Sequence, residues 1–335
     1  YWLGKNVLIT GVNGFIGGNL AKSLIAEGAN VIGLMRNLKK GTFLYNDNIV
    51  DDVTVVNGEL TDKELLFRII SEEHVEYVFH LAAQVEVGIG LLNPYVTFES
   101  NTRGVYSLLE AVRQCGDLVK SVVIASTDKA YGSYDKDMMP YKEDYPLIPM
   151  YPYDVSKACG DLIARSYASD VYNLPIVVTR FCNIYGPGQL NFSALFPDGI
   201  RSALGYTAFI PRGNGEHVRD FIYIDDVIDL YIKISKKLAD DPRSCSGEVF
   251  NAGTNSPITV KEVLKEIYSL VGNYDDFEII EKRMLSNKTI GEINYQYMDY
   301  EKAFSYFSWK PRHSLQEGTR KTVAWFKQYL EKKYQ

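Results

Sequence analysis

Two segments of the chain carry residues whose types and spacing suit proton and hydride chemistry. Tyr153 and Lys157 stand four apart in Y-D-V-S-K, so on a helix both side chains share one face. A tyrosine phenol with a pKa of about 10 is a poor base at neutral pH. A neighbouring ammonium favours the phenolate and lowers that pKa. Such a phenol can take the proton of a hydroxyl while the carbon gives a hydride to a nicotinamide. The second segment, residues 121–132, reads S-V-V-I-A-S-T-D-K-A-Y-G. Its apolar start predicts a strand buried on both faces of a parallel sheet. Ser126, Thr127, Asp128, Lys129 and Tyr131 then fall beyond the strand's carboxyl end, where open α/β sheets bind ligands. Thr127 is placed to orient the same hydroxyl. Taken alone, Y-x-x-x-K on a helix is a surface or capping pair as readily as a catalytic one. Its company outweighs that reading.

The elements that must position these residues follow a strand-helix alternation, which predicts an α/β fold with a Rossmann-type doubly wound parallel sheet. Residues 5–10 read as a strand. Gly11, Gly14 and Gly17 follow as G-x-x-G-x-x-G, with Phe15 and Ile16 between the last two, and a helix runs to about residue 27. The first glycine allows a tight turn, the second lets the backbone approach a pyrophosphate, and the third permits close helix-strand packing. A packing turn without ligand is the plainer alternative. The second strand, 30–34, ends in Met35-Arg36-Asn37 with no acid for a ribose 2′-hydroxyl. Arg36 therefore tilts the cofactor from NAD toward NADP, or it is a solvated or adenine-stacking side chain. A third strand, 53–57, leads past Glu59 and Leu60, two further cofactor-binding candidates, to a helix capped by Thr61 or Asp62. A fourth, 77–81, exits through the small residues Ala82 and Ala83, which let backbone approach a flat cofactor or simply pack tightly. Helices are expected over 94–115 and 153–172, a flap-like loop over 133–152 and a sixth strand over 174–181. Beyond residue 188 come helices at 225–236, 259–271 and 315–333, a strand at 248–251 and an edge strand at 277–280. The expected division is a dinucleotide-binding domain of 1–186 plus 223–251. A smaller, discontinuous substrate-binding lobe would take 187–222 plus 252–335.

Composition narrows the function classes. A 335-residue chain with 46% hydrophobic residues builds a large ordered core. A net charge of −6 argues against nucleic acid as a partner. The four cysteines have no C-x-x-C pair and suit free thiols in a reducing, cytoplasmic setting; the four histidines show no ligand spacing, so no metal site is expected. There is no apolar run of membrane-spanning length and no signal-peptide pattern, although the sequence opens on Tyr1 rather than Met.

These motifs carry a resemblance. G-x-x-G-F-I-G, H-L-A-A-Q at 80–84, S-T-D-K-A-Y-G, Y-D-V-S-K, N-x-Y-G-P at 183–187 and V-R-D-F-I-Y-I-D-D-V at 218–227 resemble the extended short-chain dehydrogenase/reductase family. More narrowly they resemble its nucleotide-sugar 4,6-dehydratases, closest to the CDP-glucose type. The resemblance implies a tightly held NAD or NADP, a nucleotide-diphosphate sugar, and a homodimer formed by the 94–115 and 153–172 helices. It implies that Gly11, Gly14 and Gly17 hold the pyrophosphate, that Tyr153 and Lys157 are base and modulator, and that Thr127 is the hydroxyl partner. Asp128 would protonate the departing C6 oxygen. Lys129 falls where many dehydratases place a glutamate base for the C5 proton, and several branches resemble this chain in having lysine. Gln84, Asn183, Asn191, Arg212 and Arg219 would meet the substrate, Arg219 at its diphosphate.

The Asp128-Lys129 pair separates reaction classes. A 4-epimerase needs oxidation and re-reduction only, and related epimerases usually have small or apolar residues here. Dehydration needs an acid for the leaving hydroxide and a base for the proton at C5, which a C4 ketone acidifies. Lys129 is a base only if neutral; charged, it positions its neighbours. Both readings stand, beside the blander one of a surface Asp-Lys pair. An epimerase or decarboxylase is the first rival enzyme. A non-catalytic cofactor-binding sensor or scaffold is the rival of another class. Arg219, before Asp220, is alternatively part of a structural ion pair.

Overall fold

Apolar runs decide the architecture. In the computed structural model, which describes residues 1–37, 40–285 and 293–334, seven strands form one parallel sheet. They are β1 (Asn6–Thr10), β2 (Asn30–Met35), β3 (Val53–Asn57), β4 (Tyr77–His80), β5 (Ser121–Ala125), β6 (Ile176–Phe181) and β7 (Val249–Ala252). Their order is β7-β6-β5-β4-β1-β2-β3. Successive residues point to opposite faces, and both faces are covered. Val7, Ile9, Phe79, Val123 and Val177 enter one apolar cluster; Leu8, Val78, Val122, Ile124 and Val178 enter the other. The sheet is therefore buried on both sides, as the near-continuous apolar runs predict. Truncating such a residue, for example Ile124→Ala, leaves a cavity costing about 2–5 kcal/mol.

Helices close each face. Helix α1 (Phe15–Ala26) buries Leu20 and Leu24, and α2 (Lys63–Glu72) buries Leu66, Ile69 and Ile70. Asp62 caps α2 by accepting from the Leu65 N–H. The helix expected over 94–115 is interrupted. Pro94–Phe98 is followed by a π-helical turn, Glu99–Arg103, before α3 (Gly104–Gln114). Helix α4 (Pro152–Tyr167) ends five residues before the expected 172.

The edge strand expected at 277–280 is a helix instead, Tyr274–Met284. Its buried residues, Phe277, Ile280 and Met284, recur at helical spacing, which a four-residue window cannot reveal. Two small sheets lie outside the main one. Asn183–Tyr185 pairs with Phe221–Tyr223, and Val218–Arg219 with Ile258–Thr259. Residues 286–292 and 335, within the expected 252–335 segment, lie outside the described residues. Among the described residues no helix is long and apolar enough to cross a membrane, and no cluster of three or more His, Cys, Asp or Glu side chains could hold a metal.

Candidate active site

The strand order reverses between β1 and β4, and a crevice opens beyond their carboxyl ends. There the backbone approaches too closely for side chains. Gly11 has φ +74°, and a Cβ on it would stand 2.9 Å from the Ala82 backbone. A Cβ on Gly17 would stand 2.3 Å from the Gly11 carbonyl oxygen. Gly14 precedes α1 with no side-chain cap, so the amide end of that helix faces the crevice uncovered. This cradle and free helix end fit the pyrophosphate of a dinucleotide. Arg36 is exposed at the end of β2, and Glu59 and Leu60 follow β3 on the same wall.

One cavity of about 940 Å³ runs from this cradle. Gly11, Gly14, Phe15, Ile16, Gly17, Arg36, Glu59, Leu60, Ala82, Ala83 and Gln84 line one part of it. Thr127, Asp128, Lys129, Tyr153, Asn183, Asn191, Arg212 and Arg219 line the rest. Lys157 stands behind the wall, 8% exposed, its ammonium donating to the Ala125 carbonyl, and Tyr131 is buried away from the lining. Residues 133–152 contribute nothing to the lining. The loop expected as a flap packs behind the Thr127 turn, where Tyr141 is buried and donates to the Gly132 carbonyl.

The charges at the centre are arranged around Asp128. Its Oδ1 accepts the Thr127 hydroxyl at 3.0 Å, and its Oδ2 is buried with no partner among the described residues. Burial raises the Asp128 carboxyl above its ordinary range; Lys129, Thr127 and Arg219 oppose this. Asp154, the residue after the tyrosine, is pushed up to about 6 by burial, against the pull of Lys129. Burial lowers Lys157 to about 8, with Asp161 working the other way. Tyr153 departs from the sequence expectation. Its phenol is raised, not lowered: burial dominates, the Asp128 and Asp154 carboxylates add to it, and a hydrogen bond with Thr127 offsets it in part. Lys157 is engaged with a backbone carbonyl instead.

Several substrate candidates are held by protein neighbours. Gln84 Oε1 accepts from Thr97, and its Nε2 donates to the Glu86 carbonyl. Asn183 donates to the Asp220 carbonyl, and Asn191 Oδ1 accepts from the Ser193 N–H. Arg219 is buried and donates to the Val218 carbonyl at 2.9 Å. Asp220 accepts from the Thr254 and Asn255 N–H groups and the Thr254 hydroxyl, and so clasps the chain after β7.

Sequence reasoning missed Asn101 and Ser156. Asn101 sits in the π-helical turn; its Nδ2 donates to the Gln84 carbonyl and to Ser156 Oγ, and its Oδ1 accepts the Gln84 N–H at 2.7 Å. Ser156 in turn donates to the Tyr153 carbonyl at 2.7 Å. No local pattern signals this link, because the π turn that aims Asn101 is not written in apolar spacing. Asp154 was legible only as an acid inside Y-D-V-S-K.

Comparison with known proteins settles the family. A family model described as GDP-mannose 4,6 dehydratase matches residues 8–322. The chain belongs to that family, within the extended short-chain dehydrogenases/reductases. The family's description does not fix the substrate, since its relatives are named for several. This family member is similar to dTDP-D-glucose 4,6-dehydratase of Homo sapiens, 27% identical over 333 residues, 97% of this chain and 90% of that protein. Its fold is similar to UDP-glucose 4-epimerase of Thermotoga maritima, solved with UDP-glucose: TM-score 0.85, 32% identity, 97% and 99% of the two chains. It is similar as well to dTDP-glucose 4,6-dehydratase of Bacillus anthracis, solved with NAD: TM-score 0.83, 30% identity, 98% of each chain. The tilt toward NADP drawn from Arg36 finds no support in these relatives.

Proposed function

We propose that the chain is a nucleotide-diphosphate-sugar 4,6-dehydratase that makes a 4-keto-6-deoxy sugar nucleotide. The observation that carries this reading is Asp128. It is a buried carboxyl with a raised pKa and an unengaged oxygen, lining the same cavity as Tyr153. A 4-epimerase has no use for a protonated acid at that point; expulsion of a hydroxide does. When bound, a nicotinamide dinucleotide, for which we favour NAD, supplies hydride acceptance at C4 and its return at C6. Tyr153 takes the C4 hydroxyl proton, and Thr127 orients that hydroxyl. A neutral Asp128 serves twice: it holds the proton that the C6 oxygen needs, and it removes one of the two negative charges that add to burial in raising the Tyr153 phenol. Lys129, which lines the same cavity, takes the C5 proton as a neutral amine and returns it to C5 when the hydride reaches C6, while the C6 oxygen leaves as water with the Asp128 proton. Asn183, Asn191, Arg212 and Arg219 take the sugar-diphosphate end.

The division into a dinucleotide domain and a discontinuous substrate lobe is part of this reading. So is a homodimer through the helices at 94–114 and 152–167. Exposed Tyr95, Phe98, Tyr106 and Leu162 on those helices support it.

The test is incubation of the NAD-loaded protein with dTDP-, UDP-, CDP- and GDP-hexoses, followed by alkali. A 4-keto-6-deoxy product absorbs in the near ultraviolet and a simple epimer does not. Sugar turnover without that absorbance favours the epimerase reading, which the likeness to the Thermotoga maritima enzyme supports. Binding without turnover favours a sensor or scaffold.

A further inference from the structure

Beyond Tyr153 and Lys157, a third residue on the same face of α4 follows after another four positions, Asp161. Its side chain is fully buried and takes a two-pronged contact from Arg180 on β6, with Nε at 2.8 Å and Nη2 at 3.0 Å. The third guanidinium nitrogen, Nη1, reaches the other half of the site. It donates to the Tyr131 hydroxyl at 2.8 Å and to the Glu143 carbonyl at 3.4 Å, and the guanidinium lies 4.7 Å from the Tyr131 ring centre. Tyr131 ends the turn that begins at Thr127, and its hydroxyl donates to Asn251 on β7 at 2.7 Å. One buried cation thus fastens the helix that carries Tyr153 and Lys157 to the turn that carries Thr127, Asp128 and Lys129.

A buried ion pair adds little net stability over apolar residues of the same volume. What it supplies here is direction: a planar fork that fixes two elements at once. Hydride and proton transfer are sensitive to sub-ångström placement. We propose that Asp161 and Arg180 are positioning residues for the oxidation step, setting the Tyr153–Lys157 face of α4 against the Thr127–Lys129 turn. The proposal rests on that step alone, which the dehydratase and epimerase readings share.

The experiment compares the NAD-loaded full chain with the double variant Asp161→Leu/Arg180→Met, which removes both charges together. The expected result is a melting temperature at or above that of the wild type and unchanged affinity for NAD and sugar nucleotide. The first turnover of hydride from substrate should be slowed by about 100-fold. The ultraviolet ionisation curve of Tyr153, obtained by subtracting that of Tyr153→Phe, should be displaced. Wild-type hydride transfer in a folded double variant overturns the proposal. Should the double variant not fold, Arg180→Lys keeps the charge without the fork; it is expected to slow hydride transfer with NAD affinity intact, and a wild-type rate overturns the proposal. If the wild type oxidises none of the sugar nucleotides offered, the proposed function fails separately. The ionisation curve then decides, and coincident curves for wild type and variant overturn the positioning role.

Discussion

Thr127 donates its hydroxyl to Asp128 Oδ1, and this leaves Asp128 Oδ2 as the buried oxygen without a partner among the described residues. The bond ties the group that orients a substrate hydroxyl to the group that would release one. Oδ1 is engaged, so Oδ2 is the oxygen left to meet a substrate group. Asp128→Asn keeps the shape and removes the acid. Water loss is expected to fall by roughly 10²–10⁴-fold, while substrate still reduces the bound nicotinamide. Accumulation of reduced cofactor in a stopped-flow trace reads this out. Loss of both steps together would assign Asp128 to binding or folding.

Tyr153→Phe removes the phenol and little else, because the ring keeps its place at the cavity wall. Turnover is expected to vanish at both the oxidation and the elimination stage, with NAD affinity preserved by calorimetry. Undiminished activity would remove the proposed base.

Gly17→Ala tests the cradle. The new Cβ would meet the Gly11 carbonyl at 2.3 Å, and because the nearest atoms it meets are all backbone of Gly11 and Val12 there is no easy relief. The expected effect is a destabilisation of about 1–3 kcal/mol together with weakened NAD binding, measured by denaturant unfolding and fluorescence titration. A variant that binds NAD normally would refute the cradle.

Asp154 gives a pH signature of stability. Its folded carboxyl titrates at about 6, raised by burial, against about 3.9 in an unfolded chain. Protons are held more tightly when folded, so the contribution is full below the unfolded value and is lost as pH rises through 6. Between about pH 4 and pH 6 the melting temperature of the wild type should fall relative to that of Asp154→Asn. Parallel curves for the two proteins would show that Asp154 is not the titrating group.

The sequence made the site more legible than the scaffold behind it. Glycine spacing and a tyrosine four before a lysine are local signals, and Thr61 or Asp62 offers a cap, of which Asp62 is the one used. The turn from Thr127 to Lys129 was legible because an apolar run that stops abruptly in polar residues marks a strand's exit. What stayed hidden depends on residues far apart in the chain. Asn101 meets Gln84 and Ser156 only because of a π turn, and Arg180 meets Asp161 and Tyr131 only once β6 lies beside β5. The raised Tyr153 phenol is not legible because spacing says nothing of burial or of the Asp128 and Asp154 carboxylates, nor of what the Lys157 ammonium bonds to. The helix Tyr274–Met284 reads as a strand at 277–280 from sequence because Phe-Glu-Ile-Ile is too short to show a period.

Strand β7 joins the sheet beside β6 through Val249–Val178 and the three pairs that follow, although 67 residues, 182–248, separate the two strands. A nascent chain halted before Val249 therefore displays the hydrogen-bonding edge of β6 to its surroundings, with the backbone groups of its pairing positions left unpaired. Such fragments should pair with one another and precipitate, whereas a chain extended past Ala252 closes that edge with its own backbone.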